Sequence, residues 1–152
     1  PQPKNSFTKP TYFGKNITVK TPKMICAFGV EESYQKYGVK LRFDGNNEEH
    51  KNFFDFVQGI EYYFRSALEP EQFKSQLRVN KNHGPLLLLK LSTRKNKHGN
   101  VLFLVDIEDG CHALSIKDVQ KNMVFECVVT IQSIWYNGKM CSYKWTVKKI
   151  IF

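Results

Sequence analysis

Residues able to do chemistry fall into a few groups in this chain, and most of them fail on inspection. Asp106, Glu108 and Asp109 could hold Mg²⁺, but acids that follow a strand are more often turn residues. Arg42-Phe43-Asp44-Gly45 has the outline of a K-x-D-G nucleophile motif with arginine where the attacking lysine would stand. A guanidinium stays protonated and cannot serve as a nucleophilic amine. His50, His83, His98 and His112 are scattered through polar segments without metal-ligand spacing, and each is expected on the surface. Gly99 and Gly110 are isolated, so no phosphate-cradling loop is formed. Cys26, Cys111, Cys127 and Cys141 lie far apart with no C-x-x-C, and three of them sit in apolar runs, as free buried thiols of an intracellular protein do. The reading is no enzyme, no catalytic residue, no metal and no cofactor.

What remains is cations interleaved with aromatic rings, densest in Met123–Phe152. That stretch reads as one long β-hairpin. Apolar and β-branched residues run from Val124 to Ile134, Asn137-Gly138 supplies the turn, and Met140 to Ile151 alternates apolar residues with lysine. A two-residue Asn-Gly turn sets Tyr136 opposite Lys139, Trp135 opposite Met140, Gln132 opposite Tyr143 and Thr130 opposite Trp145. Side chains alternate between faces, so Tyr136, Lys139, Tyr143, Trp145 and Lys149 share one face, and Ile131, Trp135, Met140, Lys144 and Lys148 the other. The two tryptophans then lie on opposite faces: Trp145 is expected in the core, and Trp135 is expected to be exposed beside Lys144 and Lys148. Such a hairpin could stack bases and neutralise phosphates. The same residues also fit a core hairpin with a solvated lysine edge.

Charge is segregated along the chain. The net charge is +9, and residues 1–30 carry five Lys, 74–103 seven Lys or Arg and 127–152 four Lys, all without an acid. This pattern favours a basic face over a uniformly basic surface. At 152 residues the length suits one domain. No apolar run is long enough for a membrane span, and no secretory signal is visible. The chain starts at Pro1, which suggests a processed protein or an excised domain. Residues 1–16, with three prolines, read as an irregular N-terminal arm, and 17–152 as a single nucleic-acid-binding domain.

The elements that must position the hairpin follow from periodicity. Strands are expected over Ile17–Lys20, Met24–Val30, Tyr37–Phe43, Leu77–Asn80, Leu86–Ser92 and Val101–Ile107. The segment Thr93–Asn100 should form a basic hairpin tip. One long helix is expected from about Glu48 to Leu68, capped by Asn46 or Asn47 and stopped before Pro70. Phe53, Phe56, Val57, Ile60, Tyr63, Phe64 and Ala67 would form its core stripe. A short second helix is expected over Pro70–Lys74, and Ser115 should cap a helical turn. Many strands, one inserted helix and no βαβ alternation indicate a mainly β fold: a small twisted antiparallel barrel of the OB type.

The only long helix is acidic, whereas duplex readers usually present a basic one, and bases are free for stacking only in single strands. The expected partner is therefore single-stranded DNA, bound with little sequence preference. Single-stranded RNA, an acidic protein partner, or a nuclease using Asp106 and Glu108 are the rival readings. Phosphates would meet Lys20, Lys23, Arg94, Lys95, Lys97, Lys139, Lys144 and Lys148, and bases would stack on some of Trp135, Tyr136, Tyr143 and Trp145.

Thr21-Pro22-Lys23-Met24, the run Tyr37–Phe43 leading into an aromatic helix, Ile134-Trp135-Tyr136-Asn137-Gly138-Lys139 and Tyr143-Lys144-Trp145-Thr146-Val147 resemble the single-stranded DNA-binding proteins of nucleocytoplasmic large DNA viruses. The resemblance spans Ile17 to Ile151. It implies an OB-fold without catalysis that coats DNA in viral replication, repair or recombination, in host cytoplasmic factories and in the virion. Trp135, Tyr136, Lys139 and Trp145 are the residues carried over from the motif. The lack of an apolar span sets the expectation of no membrane partner, and self-association along the strand is expected as well. Phage and viral proteins of this broad kind often end in an acidic tail, whereas this chain ends in Lys148-Lys149-Ile150-Ile151-Phe152.

Overall fold

The computed structural model describes residues 6–8, 11–12, 15–79, 84–110 and 114–152, with side chains from residue 17 onward. In chain order the elements are β1 (Ser6–Thr8), β2 (Thr11–Tyr12), β3 (Lys15–Lys20), β4 (Met24–Cys26), β5 (Glu31–Ser33), β6 (Lys36–Arg42) and α1 (Glu48–Leu68). There follow β7 (Gln72–Lys74), β8 (Leu77–Arg78), β9 (Leu86–Leu91), β10 (Thr93–Lys95), β11 (Val101–Phe103), β12 (Asp106–Glu108), a 3₁₀ turn at Ile116–Asp118, β13 (Val124–Tyr136) and β14 (Met140–Ile151).

Five strands close a ring: β4 pairs β6, β6 pairs β9, β9 pairs β14, β14 pairs β13, and β13 returns to β4. This is the mainly β, OB-type barrel expected, with one departure. The ring is antiparallel except at β9–β14, where Trp145 is level with Leu89 in parallel register; β7 and β12 also join β14 in parallel. Alternation explains why these strands form one core. Val39 and Leu41 of β6, Leu87, Leu89 and Leu91 of β9, Cys127, Val129 and Ile131 of β13, and Trp145 and Val147 of β14 all point inward and are buried. Gly38 lets β6 and β9 approach, because a Cβ there would lie 2.7 Å from the Leu89 carbonyl oxygen.

Helix α1 has the expected bounds. Asn47 caps it by accepting the His50 N–H, Glu48 and Glu49 occupy the first turn, and Glu69 ends it in the left-handed region with φ 47° just before Pro70. Its buried seam is narrower than the expected stripe: His50, Phe53, Val57, Glu61 and Phe64 are buried, Ile60 is partly covered, and Phe56, Tyr63 and Ala67 are exposed. Spacings of three and four select a seam about one residue wide per turn, and Glu61 falls on it because the sheet beneath offers hydrogen-bond donors. His50 is likewise buried rather than on the surface. Its Nδ1 accepts the Asp44 N–H at 2.8 Å, and its Nε2 lies 2.7 Å from the Lys23 carbonyl oxygen, to which it donates.

Five other expectations are corrected. Pro70–Lys74 holds the strand β7 in place of a second helix, because its backbone is taken up by pairing with Met140–Ser142. The run Val101–Ile107 divides into β11 and β12, and Met24–Val30 is a strand only to Cys26. Within the N-terminal arm, Ser6–Thr8 pairs with β13 and Thr11–Tyr12 with β3. The turn of the long hairpin slides by one residue. Tyr136 faces Cys141, the Asn137 N–H bonds the Met140 carbonyl at 3.2 Å, and Gly138 with φ 91° is the first of the two loop residues. The Asn137 Oδ1 accepts the N–H groups of Lys139 and Met140 at 2.9 and 2.8 Å, which favours this register over the one with Asn137 at the turn centre.

Candidate nucleic-acid interface

The hairpin's register decides which aromatic rings can meet a ligand. Bulges between Val128 and Val129 and between Ile131 and Ile134 shift the pairing, so Ile131 stands directly opposite Trp145 and shares its face. Tyr143 and Trp145 are 1% and 0% exposed. Trp145 Nε1–H donates to Tyr143 Oη at 3.1 Å, and Tyr143 O–H donates to Glu61 Oε2 at 2.5 Å. Glu61 also accepts from Ser75 Oγ–H at 2.6 Å and from the Gln76 N–H at 2.9 Å. Burial, followed by the adjacent Glu61 carboxylate, pushes the Tyr143 hydroxyl far above its usual range, so it stays a donor. Both rings are core residues and are withdrawn from the stacking set. Trp135 faces the other way. It is half-buried, its register partner across β14 is Ser142, and it is next to β1 on its other edge. Tyr136 is half-buried and packs against the core.

The cations separate into distinct groups. Lys20 is paired with Glu126 at 3.3 Å, and Lys23 stands in a surface depression with Glu48, Glu49 and Glu126. Arg94, Lys95 and Lys97 are exposed on the two-stranded ribbon β10–β11, whose tip is tied by Asn96 Oδ1 accepting the N–H groups of His98 and Asn100. Lys139 is exposed in the hairpin turn, and Lys148 is exposed at the bulge of β14.

Lys144 belongs to a cluster that the residue spacing did not announce. Partial burial lowers its pKa below the usual lysine value, and the charges of Lys74, Lys36, Lys90 and Arg78 lower it further. These five cations come from β14, β7, β6, β9 and β8. They stand on the outer face of the barrel, where Gly38 pairs with Lys90 and Lys74 pairs with Ser142. A groove of about 370 Å³ crosses this face, with Lys36, Lys40, Lys90 and Lys144 at its sides and Gly38 and Leu88 in its floor. Glu31 and Glu32 line one rim, and Glu31 pairs with Lys40 at 3.3 Å. In barrel order β6 and β9 are the second and third strands, the pair whose outer face serves oligonucleotide binding in OB-folds.

Two aromatic residues on this side were not singled out from the sequence. Phe28 is 47% exposed with the Lys40 ammonium 5.5 Å from its ring centre, and Tyr34, at the β5–β6 turn, is 96% exposed. The basic block 74–103 already held Lys74, Arg78 and Lys90, but not their meeting with β6 and β14. Among the described residues, no three His, Cys, Asp or Glu side chains converge in a way that could hold a metal ion.

No family model matches the chain, and no curated protein matches it. Among solved structures it is similar to gp2.5, a single-stranded DNA binding protein encoded by bacteriophage T7, with a TM-score of 0.64 over 90% of this chain and 86% of that one, at 9% identity. At that identity the likeness is one of fold alone.

Proposed function

We propose that this protein binds single-stranded DNA with little sequence preference and has no catalytic role. The observation that carries the reading is the convergence of Lys36, Lys74, Arg78 and Lys90 on Lys144, three of which, Lys36, Lys90 and Lys144, line a groove over the second and third barrel strands. Five like charges crowd together only at a cost in repulsion, and a polyanion relieves it. The fold shared with the phage protein supports the same reading. Phosphates track this groove, Lys139 and Lys148 extend it along β14, and Arg94, Lys95 and Lys97 reach the strand from the ribbon. Trp135, on the Lys144 face of the hairpin, offers a ring to a base. The finer reading is a coat protein for DNA in viral replication, repair or recombination, of the kind found in nucleocytoplasmic large DNA viruses and nearest the African swine fever virus member. It would work in cytoplasmic factories and self-associate along the strand.

The test is a labelled oligonucleotide titrated at a series of salt concentrations as single strand, duplex and RNA. Four to six neutralised phosphates give a slope of log affinity against log salt of roughly −3 to −4, with single-stranded DNA bound more tightly than duplex. Equal affinity for duplex, or affinity independent of salt, overturns the reading. Tighter binding of RNA moves it to the RNA module.

A further inference from the structure

The connection between β5 and β6 is a two-residue turn, with Ser33 paired to Lys36 across it. Both turn residues have positive φ, 51° at Tyr34 and 65° at Gln35, a conformation that hairpins normally give to Asn and Gly. A bulky side chain there is a genuine outlier. Tyr34 is also 96% exposed and makes no hydrogen bond or ring contact among the described residues. Folding therefore gains nothing visible from a tyrosine at this position. Backbone strain with no packing return is a feature of ligand-contacting positions.

The turn's location supplies the ligand. Ser33 and Lys36, on either side of Tyr34, line the basic groove, and Lys36 is among the cations crowding Lys144. A backbone tracking the groove toward β5 would bring its bases to the turn. The phenol ring is amphipathic and rigid, and every base offers it a π-face. We infer that Tyr34 is a base-stacking residue at the rim of the groove, presented by a turn kept in an unfavourable backbone conformation for that purpose. The inference rests on the nucleic-acid reading of the groove and adds to it the residue that tells a base from a bare phosphate chain.

The experiment compares oligothymidylate with an abasic oligonucleotide of the same length, using the full chain. The wild-type protein should prefer the base-bearing strand. Tyr34→Ala should lower affinity for oligothymidylate by about 5- to 150-fold and leave the abasic strand unchanged, so that the preference narrows. Tyr34→Phe should keep it. Tyr34→Asn with Gln35→Gly gives the turn its preferred residues, and should raise the melting temperature while lowering oligothymidylate affinity as Tyr34→Ala does. Equal losses on both oligonucleotides, or none on either, would overturn the stacking role while salt-dependent binding still upholds the groove. Failure of the wild-type protein to bind either strand would overturn both.

Discussion

Glu61 shows how one residue can decide the fate of two others. Its buried carboxylate takes hydrogen bonds from Tyr143, Ser75 and the Gln76 amide, and Tyr143 in turn accepts from Trp145. Two aromatic residues that look suited to stacking are thus locked into the core. Trp145→Ala should cost about 3–5 kcal/mol of folding stability in a denaturant titration. Trp135→Ala should cost about 1–3 kcal/mol of single-stranded DNA binding and remove most DNA-induced fluorescence quenching, with a small change in stability. The reverse pattern would remove Trp135 from the binding surface and Trp145 from the core. Lys144 gives a second prediction, with its sign fixed by the crowding. Its pKa is lowered in the fold, so the fold is penalised while Lys144 is charged, and the penalty lifts as pH rises toward the ordinary 10.5. A bound phosphate restores the charge and takes up a proton. Affinity should therefore fall as pH rises, starting below the range where ordinary lysines titrate, and Lys144→Arg should flatten that fall because guanidinium keeps its proton. An unchanged pH profile in Lys144→Arg would remove Lys144 from the phosphate path.

At the scale of elements, the ribbon β10–β11 stands outside the barrel as a separate two-stranded sheet. Its tip is held by Asn96 and by Gly99 with φ 80°, and its cations are exposed. Replacing Arg94, Lys95 and Lys97 together by alanine should leave the melting temperature nearly unchanged and make the salt slope shallower by about 0.7 per lost phosphate contact. Unaltered affinity would make the ribbon a solvated tip. The β13–β14 hairpin behaves differently, because both strands are shared with other elements along their whole length. β13 meets β4, β3 and β1 in turn along one edge, and β14 meets β12, β9 and β7. This sharing is what fixes its bulges and its face.

For the whole molecule, one core runs from α1 through the barrel, and three thiols report on it. Cys26, Cys127 and Cys141 are buried, and burial raises the pKa of each, so each stays a protonated, unreactive thiol. If residues 17–152 fold as one unit, the three should be inert to a thiol reagent in the native protein. They should become reactive together at the denaturant concentration where tryptophan fluorescence changes. Any of these three reacting well before that midpoint would divide the unit; the fourth cysteine, Cys111, lies outside the described residues and is replaced by serine for the measurement.

Local pattern was enough for the elements whose signals are themselves local. The helix Glu48–Leu68 with its Asn47 cap and Pro70 stop, the strands β6 and β9, the ribbon tip and the existence of the long hairpin follow from periodicity and turn chemistry. So does the opposition of Trp135 and Trp145. Local pattern could not place β7, whose strand exists only because β14 lies beside it, nor the parallel closure of the barrel through Leu89 and Trp145. A bulge inserts or removes one residue from a register, and nothing in Ile131–Ile134 announces it. The pairing of Ile131 with Trp145 was therefore decided by the packing of the sheet. The same holds for the cation cluster. Lys36, Lys74, Arg78, Lys90 and Lys144 are spread over more than a hundred residues, and only closure of the barrel makes them neighbours.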